Sequence, residues 1–256
     1  MTLHVEHYGK TGPQLVLLHG WGLSSAIWQT LIEALAPHYR LTLVDLPGLG
    51  RSSELAETSL VSMVDAIVAE VPQGAIWIGW SLGGSVALAA AAAAPERVRA
   101  LVMIASNPCF VQRDNWPCAM PATTFDAFVG GLSDDPGKTL NRFALLQTQG
   151  SASARQELRL LKRVIAESDA KPSGLSATLE LLREDARAYL QRASQPTLLV
   201  LGERDPLVPM AVAEHITGLR DDLVIRRYAT AAHLPFVNDP ERFLADLDGF
   251  VAGVLS

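Results

Sequence analysis

The 256-residue chain is poor in cysteine, with two, and in aromatic side chains, at 6%. Two thiols, Cys109 and Cys118, are too few for a disulfide framework, and no run of Cys, His and carboxylates has metal-ligand spacing. The residues therefore call for no metal and no cofactor. Positive charge is scarce as well: 21 Lys and Arg against 27 Asp and Glu leave a net charge of -6, which argues against a nucleic-acid partner. Met1-Thr2-Leu3-His4-Val5-Glu6-His7 lacks the basic start and apolar run of a secretory signal, so the chain reads as cytoplasmic. One uncharged stretch, Ala75 to Ala94, reaches the roughly 20 residues that span a bilayer. Gly79, Ser81, Gly83 and Gly84 break it in the middle, and a membrane span is rejected in favour of strand, turn and helix.

That stretch organises the rest. Gly79-Trp80-Ser81-Leu82-Gly83 has the form Gly-x-Ser-x-Gly, with an apolar strand before it and an alanine-rich helix after it. A serine in such a turn adopts a strained backbone and thrusts its hydroxyl outward, and the flanking glycines leave room for the helix. Alone, the pattern also fits an ordinary glycine-rich loop. Its partners decide.

Around this turn, apolar runs alternate with amphipathic segments. Leu3 to Tyr8 suits an edge strand, Leu15 to Leu18, Leu41 to Leu46 and Leu101 to Ala105 suit buried parallel strands, and helices fit between them. The first helix carries Ile27, Trp28, Leu31, Ile32 and Leu35 behind a Ser24 or Ser25 cap; the second runs from Ser59 to Val71. From Asn107 the rhythm changes, and no apolar strand follows until Leu198. The reading is an α/β chain with a doubly wound, mostly parallel sheet, a core of residues 1–108 and 193–256, and an inserted helical cap over 109–192. Cap helices are expected at Phe125 to Leu132, Thr139 to Thr148, Ala154 to Ala166 and Ala177 to Arg192. The sheet resumes with Leu198 to Gly202 and Val224 to Tyr228, accompanied by helices at Met210 to Leu219 and Pro240 to Val254.

A serine hydroxyl needs a base, and the base needs a group that holds its tautomer. Asp205, in Gly202-Glu203-Arg204-Asp205-Pro206, and His233, in Ala232-His233-Leu234-Pro235-Phe236, each follow a strand, at the sheet edge where ligands bind in open α/β folds. Ser81, Asp205 and His233 thus share one rim in the order that a serine hydrolase of this architecture uses. His4, His7, His38 and His215 read as surface residues. The oxyanion of an ester intermediate needs donors, for which the backbone N–H groups of Leu82 and of Trp21, in His19-Gly20-Trp21-Gly22, stand in the right loops. His19 precedes the nucleophile and reads as a residue that orients this loop rather than as the base.

At this point the chain resembles the α/β-hydrolase superfamily. His19-Gly20-Trp21-Gly22-Leu23, Val44-Asp45-Leu46-Pro47-Gly48, Ile76 to Gly84, Ser106-Asn107-Pro108-Cys109-Phe110 and Ala232 to Phe236 are similar, within it, to the pimeloyl-[acyl-carrier protein] methyl ester esterases of biotin biosynthesis. The likeness extends over nearly the whole chain; Trp80 before the nucleophile and the cap sequence carry its specificity. It implies a serine carboxylesterase that removes a methyl ester from a carrier-bound pimeloyl chain, with Trp21, Trp80 and Phe143 along the acyl channel. It also implies an acyl carrier protein as partner. Lys138 and Arg142, and Arg155 and Arg159, are spaced four apart, and such pairs share a helix face that suits an acidic carrier. Lys138 stands where arginine is expected, keeping the charge and losing the planar fork. Between Lys138 and Arg163 the one acidic residue is Glu157. A general short-ester esterase or lactonase on the same triad, and a ligand sensor that retains the fold without turnover, are the competing readings.

Overall fold

The computed structural model describes residues 2–256. Seven strands make one sheet: β1 (Val5–Tyr8), β2 (Gln14–Leu18), β3 (Arg40–Val44), β4 (Ala75–Trp80), β5 (Val98–Ile104), β6 (Thr197–Gly202) and β7 (Val224–Tyr228). Their spatial order is β1-β3-β2-β4-β5-β6-β7, with β1 antiparallel to β3 and every other pairing parallel. The continuous apolar runs are the central strands, because both faces of the sheet are covered. Side chains of odd and even parity part company: Val16, Leu18, Trp77, Leu101, Met103, Leu199 and Leu201 enter one apolar layer, while Leu15, Leu17, Ile76, Ile78, Val102, Leu198 and Val200 enter the other.

In the first half, α1 (Gln29–Leu35), α2 (Leu60–Val68) and α3 (Leu82–Ala93) alternate with the strands. Ser59 closes the start of α2 with a reciprocal bond to Ser62. The start of α1 differs from expectation. Ser24 makes no side-chain cap, and a 3-10 turn, Ser25–Trp28, comes first, because the Ser25 N–H is drawn to the Asp45 carboxylate at 2.7 Å.

Between β5 and β6 the chain forms α4 (Ala122–Asp134), α5 (Pro136–Thr148), α6 (Ala154–Ala166), α7 (Pro172–Glu180) and α8 (Arg187–Arg192). The single helix expected over Ala177 to Arg192 is instead the end of α7, a 3-10 turn at Leu181–Arg183 and α8. No Gly or Pro causes the break. Tertiary partners do: the Arg183 guanidinium donates to Asp126 of α4 at 2.7 Å, and the Ala186 N–H to the Pro108 carbonyl at 2.7 Å. The helix α9 (Val212–Leu219), a short α10 (Pro235–Asn238) and α11 (Pro240–Leu255) complete the chain. No helix among the described residues is long and apolar enough to cross a membrane.

Candidate active site

The strands β4, β6 and β7 run parallel, so the segments leaving their carboxyl ends open on one rim of the sheet. Ser81 lies at the β4–α3 junction with φ 54° and ψ -118°, a conformation that costs a non-glycine residue on the order of 1–3 kcal/mol. The surroundings impose it. A Cβ on Gly79 would strike the Gly83 carbonyl, and one on Gly83 would strike the Leu18 carbonyl. The Ser81 N–H donates to the Ile104 carbonyl and its own carbonyl accepts from the Ser106 hydroxyl, both at 2.9 Å, so the turn is tied to the end of β5 and to the second residue beyond it.

Asp205 and His233 meet, with Asp205 Oδ2 and His233 Nδ1 2.7 Å apart and both side chains fully buried. The other carboxylate oxygen accepts the Leu207 and Val208 N–H groups at 2.8 and 3.1 Å, which aims the carboxylate. An aspartate holding two backbone donors is an acceptor toward the imidazole, so the proton sits on Nδ1 and Nε2 keeps a free lone pair. That Nε2 is buried and has no hydrogen-bond partner. The indole of Trp80, the residue before Ser81, donates to the His233 carbonyl at 2.7 Å and brings the two loops side by side.

The third loop carries Trp21. A Cβ placed on Gly20 would lie 3.3 Å from the Ser81 Cβ, which sets this loop directly against the elbow. The Trp21 N–H makes no hydrogen bond among the described residues, and Leu82, as the first residue of α3, has no intrahelical acceptor for its own. His19 holds the loop, as expected. Its Nε2 accepts from the Leu46 N–H at 2.9 Å, which forces the proton onto Nδ1 and into a 2.8 Å bond with the Gly20 carbonyl. Burial lowers the His19 pKa against the opposing pull of Asp45, so the ring stays neutral and keeps this arrangement. Burial acts to raise Asp45 in turn, but the hydrogen bonds it accepts from Ser25 and the Arg51 N–H hold its carboxyl below the ordinary range.

The helices between β5 and β6 reach the rim. The Trp21 indole donates to the Leu175 carbonyl of α7 at 2.9 Å and meets the Phe143 ring of α5 edge-on at 5.1 Å. Phe143 meets Phe128 of α4 in the same way at 5.4 Å. Trp80 turns into the core between His233 and Phe236, at 5.6 and 5.5 Å. Lys138 and Arg142 on α5 and Arg155 and Arg159 on α6 are exposed, and none has an ion-pair partner among the described residues. Arg142 and Arg155 flank a groove of about 630 Å³ floored by Phe128, Leu146 and Leu158 and edged by the half-exposed Leu145.

One residue of that face departs from expectation. Glu157 is fully buried on the inner side of α6, in line with Leu160, Leu161 and Val164, so it does not dilute the basic surface. Sequence reasoning also missed Gln147, whose carbonyl accepts the His233 N–H at 3.1 Å, and Asn238 on α10. The periodicity of α6 carried a signal for Glu157; a backbone acceptor such as Gln147 leaves none.

A family profile described as the alpha/beta hydrolase fold matches residues 13–240. The chain belongs to the α/β-hydrolase family. This hydrolase is 44% identical to the pimeloyl-[acyl-carrier protein] methyl ester esterase of Pectobacterium carotovorum, with 97% of this chain and 98% of that protein covered. It is 43% identical to the enzyme of the same name from Serratia marcescens, with 98% of each covered. Such likeness over whole chains places it in that esterase family, whose members are carboxylic ester hydrolases. Among solved structures, an esterase from Exiguobacterium antarcticum superposes with a TM-score of 0.86 at 24% identity, covering 99% of this chain and 96% of that one. A bromoperoxidase from Bacillus anthracis gives 0.86 at 22% identity, covering 98% and 95%. At those identities the likeness is one of fold.

Proposed function

We propose that this hydrolase cleaves the methyl ester of a pimeloyl chain carried on acyl carrier protein, in the cytoplasm, by a Ser81-His233-Asp205 triad. Ser81 Oγ attacks the ester carbonyl while His233 Nε2 takes its proton; the oxyanion is met by the N–H groups of Trp21 and Leu82. His233 returns the proton to the departing methoxide, giving methanol and an acyl-serine. Water then attacks the acyl-serine, with His233 again as base, and frees the pimeloyl carboxylate on its carrier. Asp205 holds the Nδ1 tautomer and stabilises the imidazolium formed in each half-reaction.

The observation that carries this reading is the buried His233 Nε2 with an unused lone pair, on a loop tied through Trp80 to the strained Ser81 turn. An unpaired buried acceptor costs about 1–3 kcal/mol, and a proton to receive is what such a group lacks. The insertion over 109–192 acts as the cap. Phe143 and Trp21 form the apolar wall beside the site, and methylenes of a dicarboxylate half-ester gain about 0.8 kcal/mol each on entering such a wall. The exposed, unpaired Lys138, Arg142, Arg155 and Arg159 face outward for an acidic carrier.

Methanol release from pimeloyl-carrier methyl ester, measured beside hydrolysis of a short aryl ester, tests the assignment. Many turnovers with a preference for the carrier substrate, and loss of both activities in Ser81→Ala, are expected. Equal efficiency on both esters would return the protein to the general esterases, and survival of either activity in Ser81→Ala would remove the nucleophile.

A further inference from the structure

The proposed mechanism uses Asp205 and leaves the fully buried carboxyl of Glu157 unexplained. Its Oε1 accepts the hydroxyls of Ser151 and Ser153, both at 2.6 Å, and its Oε2 has no hydrogen-bond partner. The same hydroxyls accept from Asn238 Nδ2, Ser151 at 3.1 Å and Ser153 at 2.8 Å. Asn238 Oδ1 accepts in turn from the Thr230 hydroxyl at 2.9 Å. Thr230 and Asn238 bracket His233 on either side in the chain. Two main-chain bonds run alongside, from the Ala152 N–H to the Thr230 carbonyl at 3.0 Å and from the His233 N–H to the Gln147 carbonyl at 3.1 Å.

The direction of these bonds is decided at one end. The Asn238 amide nitrogen can only donate, so each serine hydroxyl accepts from it and turns its single proton to the nearest acceptor, 2.6 Å away. Glu157 Oε1 is that acceptor. An ordinary glutamate in the first turn of a helix lies in solvent and reaches back to backbone N–H groups; this one is buried and reaches the loop joining α5 to α6, which reaches the loop of the base. Burial raises the Glu157 pKa against the hydrogen bonds of its polar neighbours, so enclosing the carboxyl costs free energy that a surface position would avoid.

We propose that Glu157 is a positioning residue for the catalytic base: its carboxyl fastens the His233 loop to the helical insertion, so that the seating of the imidazole depends on the insertion. This rests on the Ser81-His233-Asp205 reading. A carbonyl oxygen at the same place suffices for the polarity of the chain, and Glu157→Gln keeps one, whereas Glu157→Ala removes it.

Steady-state kinetics on a short aryl ester, which needs no carrier contact, test it. Glu157→Ala is expected to lower kcat by about tenfold or more, the scale on which misplacement of a reacting group acts, with KM changed by less than about twofold. Glu157→Gln restores most of that kcat. Asn238→Ala cuts the chain at its far end and gives a kcat loss of the same kind, which keeps the test standing if the first variant fails to fold. An unchanged kcat in both alanine variants, a loss confined to KM, or a glutamine variant as slow as the alanine one would overturn the proposal. Ser81→Ala separates the two ideas: its survival as an active enzyme ends the triad reading, whereas an inert Ser81→Ala beside normal Glu157 and Asn238 variants ends only the role of Glu157.

Discussion

The two walls of the crevice are held by different means. Ser81, the proposed nucleophile, is clamped by backbone: Gly79 and Gly83 allow strand and helix to touch main chain to main chain, and the Ile104 carbonyl takes the Ser81 N–H. On the side of His233, the proposed base, the loop is held mainly by side chains, through Ser151, Ser153 and Glu157, with two main-chain bonds, from the Ala152 N–H and to the Gln147 carbonyl, beside them. A backbone clamp tolerates no substitution and has no slack. A side-chain clamp can be altered one group at a time, so rate is adjustable on the base side and the fold is at stake on the other.

Four measurements break or sharpen this contrast. The largest effect is expected from Asp205→Asn, which keeps the shape of the base side but presents an N–H to Nδ1 and favours the wrong tautomer; kcat on any ester should fall by about 10⁴-fold with little change in melting temperature. A kcat within tenfold of the parent would show that the pair at 2.7 Å is structural. Gly83→Ala attacks the other wall, where the new methyl meets the Leu18 carbonyl; a loss of about 3 kcal/mol in chemical unfolding is expected, and an unperturbed variant would refute the rigid clamp. The pair Arg142→Glu and Arg155→Glu leaves both walls alone. It should lower kcat/KM for the carrier-linked ester by about tenfold at low salt, with the gap narrowing as salt rises and the short ester unaffected.

The fourth measurement is Asp45→Asn, away from both walls, which places an N–H against the Arg51 N–H and guanidinium now bonded at 2.9 and 3.1 Å. At neutral pH it should cost about 1–3 kcal/mol. The folded pKa of Asp45 is depressed, so its contribution is present above the ordinary value of 3.8 and lost as pH falls through the lower folded value. The difference in melting temperature between parent and variant should therefore shrink toward that acid limit. A constant difference across pH would assign the effect to packing alone.

Much of this was legible because it is local. Val224–Tyr228 and Ala154–Ala166 have the bounds that their apolar patterns predict, and the motif around Ser81 announces a strand, a turn and a helix because Gly79 and Gly83 meet within the motif itself. Asp205 and His233 were readable from their places after strands, since a parallel sheet sends such loops to one rim. The break at Leu181–Arg183 was not, because Asp126 and Pro108 cause it from distant parts of the chain. Pro172, at the first turn of α7, did mark that helix's start and passed unused. Glu157 was counted for its charge alone and given no position, whereas the spacing of Leu160, Leu161 and Val164 puts position 157 on the inner stripe.

The last helix of the insertion has a second consequence. The helix α3 is nearly all small apolar residues, buried from Leu82 through Ala91, and α8 lies on it while the nearby Gln195 amide donates to the Ala91 carbonyl at 2.9 Å. A shortened protein with 109–192 replaced by a brief linker would bare an alanine-rich flank and self-associate, so lids exchanged between relatives in grafting experiments should be joined before α8, with that helix left to the recipient.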